Sequence, residues 1–203
     1  MLDSNTAETQ STGPTHRGWH SRGYVPHFDH PDLVQGITFR LADSLPAHVR
    51  ASMAEELKNA DGSTRRARME AYLNAGYGSC YLRDPRIARL VENALLYFDG
   101  VRYRLIAWVI MPNHVHVLVE MCEGYPLGSI VHSWKSYTAK EANRILGRTG
   151  PFWFREYFDR YIRDDRHFAR AVQYIHNNPV AAGLIDMPEK WRFSSASRLR
   201  EAE

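Results

Sequence analysis

Cysteine and lysine are scarce in this 203-residue chain, which has two of the first and four of the second. Cys80 and Cys122 stand in no CxxC or other paired motif, so the sequence offers neither a disulfide framework nor a zinc knuckle. No run of about 18 apolar residues occurs, which removes a helical membrane span from the expectations. Residues 1–6 lack a basic-then-apolar signal pattern, so the cytoplasm is the expected compartment. No internal repeat and no second set of elements is found. One domain over 16–203 is therefore expected, after a Ser-, Thr-, Gly- and Pro-rich stretch over 1–15 read as a disordered tail. A hydrophobic content of 44% and a charged content of 24% are those of an ordinary globular protein. The net charge of +3 excludes no class of partner, but its make-up is skewed: 22 arginines against four lysines. Arginine forks onto phosphate and stacks on bases. A GC-rich genome produces the same bias, and the two explanations weigh evenly.

The most informative stretch is 108–120, Trp-Val-Ile-Met-Pro-Asn-His-Val-His-Val-Leu-Val-Glu. Its β-branched residues argue for strand, and Pro112-Asn113 for a break. Two strands, 102–111 and 114–121, joined by a tight turn, are the expectation. Side chains alternate along a strand, so His114 and His116 share one face while Val115, Val117 and Val119 take the other, toward the core. Two neighbouring imidazoles on a rigid strand are half of a divalent-metal site. On spacing alone, two histidines on a half-solvated sheet face are the simpler reading.

The remaining pattern supplies a first strand at 35–41 and helices near 46–59, 64–74, 85–98, 129–146 and 166–178. The arginines of the second helix read as a solvated face, and Pro179 as the stop of the last helix. Residues 16–32 form a basic and aromatic arm, with Arg17, Arg22 and Tyr24, suited to lie along a nucleic-acid strand or to pack on the domain. Residues 152–163 read as a strand. One of its faces, with Trp153, Arg155 and Tyr157, interleaves aromatics with guanidiniums as a platform for unpaired bases would. An edge strand half covered by a helix is the competing reading. The element order suits an α+β sandwich with a mainly antiparallel sheet and helices on one face.

In the last helix Tyr174 and Asn178 are four apart and share a face, which Arg170 continues. A divalent ion held by His114, His116 and the Asn178 side-chain oxygen would keep open positions for a phosphate, with Tyr174 beside it as nucleophile. Imidazole and amide donors admit Mg²⁺ or Mn²⁺, with Mn²⁺ the better match. Lys135 and Arg170 are further candidates for phosphate contact. His176 lies about 200° round the helix from Tyr174 and is left out of the site.

These stretches resemble a known family. Residues 111–119, Met-Pro-Asn-His-Val-His-Val-Leu-Val, look like the His-hydrophobic-His core of single-tyrosine transposases. Residues 174–184, Tyr-Ile-His-Asn-Asn-Pro-Val-Ala-Ala-Gly-Leu, look like the tyrosine helix of their REP-associated branch, and residues 22–27 and 35–41 like its N-terminal signature. The resemblance implies a ferredoxin-like fold. It implies cleavage and rejoining of single-stranded DNA beside palindromic hairpins, with His114 and His116 on the metal and Tyr174 taking the 5′ phosphate. A nucleoid-associated protein follows from that role. Insertion-sequence members carry Gln where this chain has Asn178, one methylene shorter. They are obligate dimers, whereas REP-associated members work as monomers; a monomer is expected here, with a dimer as the alternative. A non-catalytic DNA-hairpin-binding protein is the rival from another class. A zinc hydrolase would need a third His, Cys or carboxylate ligand near the pair, and none stands in register in the sequence.

Overall fold

The computed structural model describes residues 16, 18–21, 26–31, 33–56 and 58–201. The expected tail over 1–15, and Arg17, Arg22 and Tyr24 of the arm, lie outside the described residues. In chain order the elements are β1 (Gly18–Ser21), β2 (Pro26–Asp29), β3 (Val34–Arg40), α1 (Ala47–Glu56), α2 (Gly62–Asn74), α3 (Pro85–Leu96), β4 (Tyr103–Ile110), β5 (His114–Met121), α4 (Leu127–Ile145), β6 (Phe158–Tyr161), α5 (Asp165–Ala181) and α6 (Ser195–Glu201).

Strands β4, β5, β3 and β6 form one antiparallel sheet in that order, and β1 and β2 form a separate hairpin. Alternation along β3 and β5 builds the main core. Ile37, Phe39, Leu41, Val115, Val117 and Val119 point to one face, where Ile87, Val91 and Leu95 of α3 and Ile130, Val131 and Trp134 of α4 meet them. The α+β antiparallel sandwich is as expected from the sequence. One detail differs: helices cover both faces. Ala107, Val109, Met111 and Leu118 point the other way and are covered by Ile175, Phe168 and Val172 of α5. Both faces of β4 and β5 are apolar, so each needs a cover. A third, small cluster joins Leu45 and Val49 to Leu73 of α2.

Local chemistry sets the element ends. The Asp61 carboxylate caps α2 by accepting from the Thr64 N–H at 2.7 Å, and Asp164 caps α5 through the His167 N–H at 2.7 Å. Pro179 does not stop α5, which runs on to Ala181. A proline this near the helix end removes a single intrahelical donor, and the Ala182 N–H still reaches the Asn178 carbonyl at 3.0 Å.

The strand expected over 152–163 shrinks to β6, and the base platform on its Trp153 and Tyr157 face is not there. Trp153 is 6% exposed and Tyr157 is also buried. Residues 152–157 form a coil that turns its rings inward; the Trp153 indole N–H donates to Thr138 Oγ1 at 2.8 Å. Lys135 is committed to the same coil, its ammonium donating to the Phe154 and Arg155 carbonyls at 2.8 and 2.6 Å. Arg155 is exposed beside that coil, 3.8 Å from Glu156. Trp153→Ala should therefore cost about 3–5 kcal/mol of stability, the usual range for emptying a large core aromatic site. Chemical denaturation checks this, since a surface platform residue would leave the midpoint almost unmoved.

The described part of the arm packs on the domain. His27 is buried and hydrogen-bonded to Asp159, whose other oxygen accepts from the Phe28 N–H at 2.9 Å. Phe28 also meets the Tyr161 ring, with centroids 5.4 Å apart.

Candidate metal and nucleophile site

Three elements converge where β5 turns its histidines away from the core. The two-residue break at Pro112-Asn113 closes the β4–β5 hairpin, with the Met111 N–H donating to the His114 carbonyl at 2.9 Å. It delivers His114 and His116 side by side, ring centroids 4.8 Å apart, both buried. Helix α5 crosses behind them and brings Asn178 and Tyr174. Helix α2 brings Glu70, a residue that sequence reasoning missed.

Glu70 ties the group together. Its Oε1 lies 3.1 Å from His116 Nε2, 3.6 Å from His114 Nε2 and 2.7 Å from Asn178 Nδ2, which donates to it. Glu70, His114 and His116 are the group of donors among the described residues placed as metal ligands are, their atoms all within 4.8 Å of one another. Two further atoms fit a cation. His114 Nε2 and Asn178 Oδ1 are both buried with no hydrogen-bond partner among the described residues. A divalent ion would engage both.

The surrounding shell fixes the imidazoles. Asn113 is fully buried; its Oδ1 accepts from His114 Nδ1–H at 2.7 Å while its Nδ2 donates to the Leu73 and Tyr77 carbonyls at 3.2 and 3.0 Å. That leaves His114 Nε2 as the lone-pair atom and anchors the end of the Glu70 helix to the histidine strand. Thr38 Oγ1 holds His116 Nδ1 at 2.8 Å across the β3–β5 ladder. Asn113→Ala should weaken divalent-metal affinity about 10- to 100-fold, as losing such outer partners does, read by calorimetric titration with Mn²⁺. Arg40, the ladder partner of His114, is 6% exposed, and among the described residues no carboxylate pairs with it. Burial and then Arg50 pull its pKa down to about 10, so it remains a cation at neutral pH.

Electrostatics prepare the donors. Burial alone would raise the Glu70 pKa; the charge of His116 and the imidazoles facing the carboxyl outweigh it and hold Glu70 ionised far below the usual carboxylate range. Burial lowers the His114 pKa to about 4, against the pull of Glu70, so this imidazole is neutral and ready to ligate. Tyr174 is 46% exposed, its ring 5.3 Å from that of His116. Burial of its hydroxyl end, and then the Glu70 charge, push the phenol pKa well up. In the metal-free protein Tyr174 is a phenol, not a phenolate. Arg170, one turn before Tyr174, joins Glu70, Tyr174 and Asn178 in lining a cleft open to solvent. His176 is elsewhere, bonded to Ser195 Oγ at 2.9 Å.

Residues 82–178 match the family described as "Transposase IS200 like". A Haemophilus influenzae protein named as a candidate REP-associated tyrosine transposase is 28% identical over 111 residues, 50% of this chain and 63% of the relative. The REP-associated tyrosine transposase of Escherichia coli is 26% identical over 96 residues, 47% of this chain and 56% of the relative. The chain thus spans about three fifths of the length of the curated relatives it matches. A solved structure of a REP-associated tyrosine transposase bound to a REP hairpin superposes with a TM-score of 0.53 at 18% identity, over 85% of this chain and 81% of that one, and shares the fold.

Proposed function

We propose that the chain, whose residues 82–178 match the IS200-like transposases, is a metal-dependent enzyme that nicks and rejoins single-stranded DNA beside palindromic hairpins. The observation that carries this reading is a phenol set against a Glu-His-His metal group, with Tyr174 and Glu70 lining one cleft and the two imidazoles buried behind it. His114, His116 and Glu70 would hold the ion, with Asn178 Oδ1 able to join them. A bound Mn²⁺ or Mg²⁺ acts there as a Lewis acid on a phosphate oxygen, and the two imidazoles favour Mn²⁺.

The chain's own residues supply the rest. Tyr174 is the nucleophile: its oxygen attacks phosphorus, the bond to the 3′ oxygen breaks, and a 5′-phosphotyrosine and a free 3′ hydroxyl result. The phenol must lose its proton, which leaves to the solvent of the cleft that Tyr174 lines, while the departing 3′ oxygen takes one up. Attack by a 3′ hydroxyl on the phosphotyrosine reverses the step and joins strands. Asn178 orients Glu70 through its 2.7 Å hydrogen bond. The hairpin is the partner named for the solved relative. No helix among the described residues is long and apolar enough to cross a membrane, in keeping with a nucleoid-associated role.

Glu70 also supplies the third ligand that a zinc hydrolase requires, since two histidines and a carboxylate hold zinc in several hydrolases. One experiment separates the readings. The protein is incubated with a single-stranded hairpin oligonucleotide and Mn²⁺, then denatured and resolved on a gel. A covalent protein–DNA band supports the transposase reading. Cleavage with no band supports the hydrolase, and binding with neither supports a non-catalytic hairpin-binding protein.

A further inference from the structure

We infer that the open half of the sheet face beside the site seats the single strand flanking the scissile phosphate, with a base stacked on Phe158 and backbone phosphates on Arg66, Arg160 and Arg170. The inference rests on the proposed function and says where its substrate lies.

Register places the parts. Thr38 bonds His116 across the ladder, so it points to the site face, and Phe158 is the ladder partner of Thr38 on the opposite side. Arg160 faces Gly36 two residues on, so Phe158 and Arg160 share the face that carries the histidines. Asp159 and Tyr161 point the other way, into the arm. Helix α5 covers β4 and β5 on the site face, whereas Phe158, on the sheet edge, is 37% exposed and Arg160 is exposed.

The floor between them is flat by composition. Gly36 has neither a left-handed backbone nor a close neighbour; a Cβ there would meet only the Arg160 carbonyl at 3.8 Å. Packing within the protein does not require this glycine, and a glycine inside a strand commonly marks the approach of another backbone.

Charge gathers around Arg160. Arg66 precedes Glu70 by one turn of α2, and Arg170 precedes Tyr174 by one turn of α5, so each helix that delivers a site residue also brings a guanidinium on the same face. Both are exposed, and among the described residues no carboxylate lies within ion-pair distance of Arg66, Arg160 or Arg170. They sense one another: burial and then the charges of Arg66, Arg163 and Arg170 lower the Arg160 pKa. Nearby acids are committed elsewhere, Asp164 to the α5 cap, Asp159 to His27 and Phe28, and Glu70 to the site histidines and Asn178. Like charges left uncompensated cost folding stability and are relieved by a polyanion, and an exposed ring beside them adds the stacking surface that unpaired bases use.

The test is the salt dependence of binding, measured by fluorescence anisotropy on the full chain with a labelled single-stranded hairpin oligonucleotide in chelator. For single strands the slope of log affinity against log salt falls by about 0.7 for each phosphate that is no longer neutralised. Arg66→Gln, Arg160→Gln and Arg170→Gln should each lower it by about that amount, while Arg144→Gln, on α4 and paired with Glu141 at 2.9 Å, leaves it unchanged. Phe158→Ala should weaken binding roughly tenfold at an unchanged slope. The arginine variants should also melt slightly higher at low salt, which separates a missing phosphate partner from impaired folding. A triple arginine variant with the wild-type slope, or Phe158→Ala binding like wild type, overturns the inference. If Mn²⁺ still yields the covalent band in that case, the proposed function stands without this track. If the wild type binds no single strand at any salt, both fall.

Discussion

Tyr174→Phe is expected to abolish the covalent protein–DNA product while leaving fold, metal and DNA binding in place. The phenyl ring keeps its edge contact with His116, centroids 5.3 Å apart in the wild type. Glu70, Asn178 and the two imidazoles keep the contacts they make with one another. One oxygen is removed, the atom proposed to become bonded to phosphorus. The Thr38 hydroxyl is already turned onto His116 Nδ1. The loss should be at least about 1,000-fold in adduct yield, the scale on which removing a nucleophile registers, with a melting temperature close to wild type. Gel analysis after denaturation reads the first quantity and calorimetry the second.

Glu70→Ala should have the next largest effect, through the metal. Losing a ligand costs at least as much as losing an outer partner, so affinity for Mn²⁺ should fall about 100-fold or more. In the wild type, Mn²⁺ at 100 times its Kd adds about 2.7 kcal/mol, which for a chain of this size raises Tm by roughly 5–10 °C; at the same concentration the variant should keep no more than about 1–2 °C of that rise. The pH dependence has a definite sign. The folded His114 pKa of about 4 lies below the ordinary 6.5, so between those values the unfolded chain binds the extra proton. The associated stability is present above pH 6.5 and is lost as pH falls toward 4, by about 3 kcal/mol at 1.36 kcal/mol per pKa unit. Glu70, held low by His116 and His114 against its burial, adds a loss of the same sign below the ordinary carboxylate range. Metal-free protein should therefore melt progressively lower from pH 6.5 downward, read by calorimetry across a buffer series.

Part of this site was legible in the sequence, because each half obeys a local period. His114 and His116 follow the strand's period of two, and Tyr174 and Asn178 the helix's spacing of four. Glu70 obeys no such link, since it reaches the histidines only through the folding of α2 back onto β5. A faint signal existed: it is the lone acid of a helix carrying three arginines. The base platform was misplaced because alternation assigns faces only where a strand exists. Residues 152–157 are coil, so Trp153 and Tyr157 escape the pattern, while Phe158 and Arg160, within β6, obey it and are exposed. Helices on both faces were foreshadowed by Val109, Met111 and Leu118, apolar residues on the side away from the core valines.

The most direct measurement is peptide mapping of wild-type protein after incubation with Mn²⁺ and a hairpin oligonucleotide. Mass spectrometry should find the nucleotide linked through its 5′ phosphate to the peptide containing Tyr174, the released strand ending in a 3′ hydroxyl, and neither product when a chelator is present. Linkage to any other residue, or cleavage that leaves every peptide unmodified, would contradict the account.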